Sequence, residues 1–131
     1  MIHKRQNKHS MEKTKVLFID DDTMLGNIVV AALTEMGYET HYQTSLAAIR
    51  SILRELCPDI VVLDVEIGTG DGIQAIAEVK SVLPDVPVLF VSSHTDSSYI
   101  KRALEAGGIA YLKKPFEIEE LLAYIQRHVS S

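Results

Sequence analysis

Ile60–Gly72 reads IVVLDVEIGTGDG, an apolar run that halts on Asp64 and passes into a glycine-rich loop. Ile60, Val61, Val62 and Leu63 have the β-branched, wholly apolar character of a strand buried on both faces. Asp64 then falls at the carboxyl end of that strand, where open α/β sheets hold their ligands. Gly68, Gly70 and Gly72 supply loose backbone beyond it, and Asp71 is a turn signal. Alone, the segment equally suits an aspartate that merely ends a strand and opens a turn. Its neighbours decide.

Upstream, Lys15–Ile19 (KVLFI) reads as a first buried strand running into Asp20, Asp21 and Asp22. A helix follows over 23–36, with Leu25, Ile28, Val29, Ala32 and Met36 on one face and Gly37 after its end. Tyr38–Thr44 carries the Tyr and Thr content of an outer strand. Ser45 is placed to cap a second helix whose stripe is Leu46, Ile49, Leu53 and Leu56, stopped by Pro58. Downstream, Asp71 or Gly72 opens a third helix with Ile73, Ile76, Ala77 and Val79 inward. Val86–Val91 is a fourth buried strand, ending on Ser92 and Ser93. Asp96 caps a helix carrying Ile100, Ala103 and Leu104, and Gly107–Gly108 terminates it. Ile109–Leu112 is a fifth strand, followed by Lys113, Lys114 and Pro115. A last helix starts near Glu117 with Ile118, Leu121, Leu122, Ile125 and Val129 inward. Five alternations of strand and helix predict parallel strands joined by right-handed crossovers, with helices on both faces.

The 131 residues suit one domain, and 47% hydrophobic with 24% charged content is ordinary for a globular chain. Residues 1–14, basic and without periodicity, read as a mobile N-terminal tail, leaving 15–131 as the domain. Cys57 is the single cysteine, which excludes an internal disulfide and fits a reducing, cytoplasmic setting. The histidines have no metal-ligand spacing. The net charge of −5 argues against direct nucleic-acid binding, and no apolar run is long enough for a membrane span.

What terminates each strand carries the chemistry. Asp20, Asp21 and Asp22 end the first, Asp64 the third, Ser92 and Ser93 the fourth, Lys113 and Lys114 the fifth. In a parallel sheet these ends open on one edge, so carboxylates, hydroxyls and a lysine converge. Two carboxylates about 4 Å apart repel by roughly 4 kcal/mol at an effective dielectric near 20. Three would consume much of a domain's stability of about 5–15 kcal/mol. A cation among them removes that cost. Oxygen ligands favour a hard ion, and Mg²⁺ takes one or two carboxylates plus a phosphate oxygen. Lysine then serves as a point charge, and serine as a hydroxyl donor, for a phosphoryl group.

With these residues in hand, the chain from about Lys15 to Val129 resembles the receiver domain of bacterial two-component response regulators. The likeness rests on Asp20–Asp21 after the first strand, Asp64 in LDVEIGTGDG, Ser92 after VLFV, and Lys114–Pro115–Phe116 in YLKKPF. It implies a flavodoxin-like, doubly wound α/β fold with a five-stranded parallel sheet in the order 2-1-3-4-5. It also implies a phosphoacceptor switch rather than an enzyme on a separate substrate. Asp64 would accept the phosphoryl group from a histidine kinase or phosphotransfer protein. Mg²⁺ would be held by Asp21, Asp64 and the Glu66 carbonyl, with Asp20 acting through water. Ser92 would be the switch hydroxyl, Lys114 the phosphoryl-pairing lysine with a cis bond to Pro115, and Tyr111 the aromatic that swings inward on activation. Output partners would dock on the fourth helix, fifth strand and fifth helix, where Tyr99, Lys101, Arg102 and Tyr111 contribute; a phosphorylation-linked homodimer is the other use of such a face.

Some positions depart from the family pattern. Gly68 stands where a proline is usual, while Glu66 and His94 flank the route of an attacking water. Together they predict an unusual autodephosphorylation lifetime. Ser93, where a smaller residue is common, is tolerated. Asp22 reads as a first-turn acid of the helix, and Lys113 as a solvated lysine. Two rivals are weighed. Haloacid-dehalogenase-type phosphatases share an aspartate pair with Mg²⁺, but their threonine would fall at Met24 and no second acidic cluster follows Lys114. A receiver-shaped module that is never phosphorylated is the other. No helix-turn-helix or catalytic pattern follows Val129, so the chain reads as a stand-alone receiver or a piece of a longer regulator or hybrid kinase.

Overall fold

The structure, a computed structural model, describes residues 13–67, 70–93 and 96–129. Five strands form the sheet: β1 (Lys15–Ile19), β2 (Glu39–Gln43), β3 (Ile60–Asp64), β4 (Val88–Ser92) and β5 (Ala110–Lys113). Their spatial order is β2-β1-β3-β4-β5 and every pairing is parallel. Among the described residues, five helices connect and cover them: α1 (Thr23–Glu35), α2 (Ile49–Leu56), α3 (Gly72–Val82), α4 (Ser97–Glu105) and α5 (Ile118–His128). A two-residue ribbon, Glu66–Ile67 against Gly70–Asp71, lies between β3 and α3. The expected architecture and strand order are therefore present. Of the expected tail, residues 1–12 lie outside the described residues, as do Gly68 and His94.

Alternation along the strands sorts the core into two layers. Leu17, Ile19, Val61, Leu63, Val88 and Phe90 pack with Ile49, Leu53, Ile73, Ile76, Val79 and Ala103 from α2, α3 and α4. Val16, Phe18, Ile60, Val62, Leu89 and Val91 pack with Val29 and Leu33 of α1 and Leu121 and Ile125 of α5. The central strand β3 is buried along its whole length, which is why its sequence is an unbroken apolar run.

Four helix expectations are corrected. On α1 the buried face is Gly26, Val29 and Leu33, while Ile28 and Met36 are 50% and 59% exposed. Apolar residues nearly encircle that helix, so hydropathy could not choose its rotation. The smallest residue, Gly26, instead sets the close approach to the sheet. Ser45 does not cap α2: its hydroxyl accepts from the Ala47 N–H at 3.2 Å in a turn, and the helix starts at Ile49. On α3, Ala75 is buried and Ala77 exposed. Asp22 is also the N-cap of α1 rather than a first-turn acid, its Oδ1 accepting from the Leu25 N–H at 3.1 Å.

Candidate functional site

Strand register builds the site. β1 and β3 pair Ile19 with Leu63, so Asp20 and Asp64 are next along adjacent strands. β3 and β4 pair Asp64 with Val91, which puts Ser92 one step further along the rim. β4 and β5 pair Ser92 with Lys113, and the Lys114 N–H donates to the Ser92 carbonyl at 2.8 Å. Lys114 is joined to Pro115 by a cis bond, as expected. The predicted convergence is thus a direct product of sheet order.

Asp20 is fully buried, Asp64 is 4% exposed and Asp21 is exposed. Among the described residues, these three each offer a carboxylate oxygen within 4.8 Å of the others. Each such pair repels by roughly 3 kcal/mol at an effective dielectric near 20. Lys114 offsets part of this, its Nζ lying 2.8 Å from Asp20 Oδ2 and 3.3 Å from Asp64 Oδ2. Burial is the largest influence on Lys114 and pulls its pKa down, but Asp20 and Asp64 together hold it above its ordinary value. Burial likewise pushes Asp64 up to about 6; the Glu66 N–H and Lys114 oppose the rise and the Asp20 charge adds to it.

Three carboxylates against one ammonium leave the cluster negative. Asp20 Oδ2 is buried against Lys114 Nζ, and Asp20 Oδ1 accepts from the Asp22 N–H at 2.9 Å. With two of its three acids buried, all-oxygen and in charge excess, the cluster can hold a hard divalent cation. Asp64 Oδ1 is occupied by the Glu66 N–H at 3.0 Å, which brings the Glu66 backbone beside the site while its side chain is exposed. Gly72 closes the loop from below. Its N–H donates to the Val65 carbonyl at 2.7 Å, and a Cβ there would overlap the Asp64 carbonyl and come 2.8 Å from Val65 Cα. This glycine serves close approach, not the looseness read from the sequence.

Ser92 is fully buried and hydrogen-bonded to the Tyr111 hydroxyl. Burial raises the Tyr111 pKa, and the Glu66 and Asp64 charges add to the rise. Ser93 and Lys113 are exposed. One residue at the site escaped the sequence reading. Tyr42 of β2 lies level with Phe18, stacks on it with centroids 5.9 Å apart, and donates its hydroxyl to the Asp20 carbonyl at 2.6 Å. The only sequence signal was an aromatic at the facing register position of an edge strand.

An open parallel sheet with an acid cluster, a buried hydroxyl and a lysine on its carboxyl edge defines the phosphoacceptor class of flavodoxin-like proteins. The family model for the response regulator receiver domain matches residues 16–126, and the chain belongs to that family. Among curated relatives, the uncharacterized transcriptional regulatory protein YbdJ of Bacillus subtilis is 31% identical over 112 residues, covering 86% of this chain and 49% of that protein. The DNA-binding transcriptional regulator NtrC of Escherichia coli is 28% identical over 120 residues, covering 92% of this chain and 26% of that protein. The chain therefore spans about a quarter to a half of the length of such relatives. The non-phosphorylated HemR receiver domain of Leptospira biflexa superposes with a TM-score of 0.82 at 25% identity, over 91% of this chain and 96% of that one. The chain is thus a receiver domain of the two-component response-regulator family. No helix among the described residues is long and apolar enough to cross a membrane.

Proposed function

We propose that residues 15–131 form a receiver that takes a phosphoryl group onto Asp64 from the phosphohistidine of a kinase or phosphotransfer protein. The observation that carries this is the state of the Asp64 carboxylate. It is buried, with one oxygen tied to the Glu66 N–H and the other facing Lys114. Asp20, Asp21 and Asp64, with the Glu66 carbonyl, would hold Mg²⁺. Bound there, the cation would neutralise phosphoryl oxygens during transfer. An Asp64 oxygen attacks phosphorus, the phosphorus–nitrogen bond breaks, and the imidazole leaves with the electron pair. Lys114 pairs with the charge brought in, and alignment supplies most of the remaining rate.

Switching a population from mostly off to mostly on takes about 5.5 kcal/mol. One charge-assisted hydrogen bond gives roughly 1.5–3 kcal/mol. Ser92 and Lys114 therefore act together, with Tyr111, already bonded to Ser92, following the hydroxyl. The acyl phosphate is lost by slow self-catalysed hydrolysis. The half-buried Tyr99 and Tyr111 and the exposed Lys101 and Arg102 form an output face across α4, β5 and α5, for a partner protein or a second copy, in the cytoplasm. Acetyl phosphate with Mg²⁺ is expected to add one phosphoryl mass on Asp64, with no label in Asp64→Asn. An unlabelled wild-type protein would mean a receiver fold used only for docking.

A further inference from the structure

The acid cluster is held from a side that its own chemistry does not require. Asp20 is the one fully buried acid of the three; Lys114 Nζ and the Asp22 N–H hold its carboxylate, and its backbone is held separately. The β2 strand does this twice. The Asp20 N–H donates to the Gln43 carbonyl at 3.1 Å, and the Tyr42 hydroxyl donates to the Asp20 carbonyl at 2.6 Å. Tyr42 reaches that carbonyl because its ring lies on Phe18 and directly over Gly26 of α1. A Cβ built on Gly26 would overlap the hydroxyl-bearing end of the Tyr42 ring, so the two residues form a matched pair.

We propose that Tyr42, seated by Gly26, is a positioning residue for cation binding. It clamps the peptide between Asp20 and Asp21 and so sets where the two carboxylates stand relative to Asp64. The peptide after Asp20 is the link between the buried acid and the exposed one. Fixing its carbonyl fixes the plane from which Asp21 departs, and the preorganised pair loses less freedom when a cation enters. The inference rests on the cation reading of the site and adds to it a residue outside the acid cluster.

The test is calorimetric titration of Mg²⁺ into the wild-type chain, Tyr42→Phe and Gly26→Ala, beside thermal unfolding in chelator. Tyr42→Phe removes one oxygen and keeps the ring, and is expected to weaken Mg²⁺ binding about tenfold (about 1.4 kcal/mol). Gly26→Ala, which displaces the ring, should weaken it at least as much, and adding Tyr42→Phe to it should cost little more. Leu33→Val, a core change remote from the rim, is the control: it should lower the unfolding temperature and leave Mg²⁺ affinity unchanged. Equal affinity in Tyr42→Phe and wild type overturns the proposal, as does an equal loss of affinity in Leu33→Val. A wild-type chain that binds no Mg²⁺ overturns the cation reading and this proposal together.

Discussion

The two ends of the same sheet are built to different standards. At the amino end, Lys15 and Asp59 bond reciprocally: the Lys15 N–H donates to Asp59 Oδ2 at 2.7 Å and the Asp59 N–H donates to the Lys15 carbonyl at 2.8 Å. Lys15 Nζ donates to the Leu56 carbonyl at 3.1 Å, so charge there is tied off locally. At the carboxyl end, Asp20 and Asp64 are buried around one lysine that both must share. Identical strands thus end in satisfied groups on one side and in stored repulsion on the other. The difference marks which end was shaped for stability and which for binding.

The most severe way to break the contrast is Gly72→Ala. Its Cβ would press on the Asp64–Val65 backbone, and overpacking against main chain is expected to cost about 3 kcal/mol. Chemical denaturation should report that loss, and calorimetry a parallel loss of Mg²⁺ binding. Next is Asp64→Asn, which removes a buried charge and should stabilise the cation-free protein by about 1–2 kcal/mol at pH 7. The sign follows from the pKa. Burial raises Asp64 to about 6 in the folded chain, against about 3.9 unfolded. Its contribution to stability is therefore complete below pH 4 and is lost as pH rises through about 6. In chelator, the gain from Asp64→Asn should shrink as pH falls from 7 to 4, and wild-type Mg²⁺ affinity should fall over the same range. A gain that stayed constant with pH would mean the carboxylate is not the source of the strain.

Asp59→Ala sharpens the comparison from the other end. Losing an acceptor for a partly buried N–H is expected to cost about 1 kcal/mol, with Mg²⁺ affinity untouched. The smallest effect is expected at Ala48, whose φ of 59° lies in the left-handed region ahead of α2. Ala48→Gly relieves that strain and should raise stability by about 0.5–1 kcal/mol, read as a modest rise in unfolding temperature.

Most of the rim was legible because each residue follows an apolar run, and in a parallel sheet strand ends are also neighbours. Asp20, Asp64, Ser92 and Lys114 could be read that way since their placement depends on strand order alone. Tyr42 could not, because its bond to Asp20 depends on a ring crossing between β2 and α1. The rotation of α1 was hidden for the same reason. Where apolar residues surround a helix, hydropathy names no face, and the steric fit of Gly26 to Tyr42 decides it.

The amino-acid sequence by itself determined the alternation of elements, the parallel sheet and the identity of the groups on its carboxyl edge. Those follow from local periodicity and from the burial of whole strands, both properties of short stretches. Only the tertiary structure decided which acid is fully buried, how far Asp64 is shifted, why Gly72 must lack a side chain and what pins Asp20. Such features arise where backbones and side chains distant in the chain compete for the same few ångströms, and no single stretch records that competition.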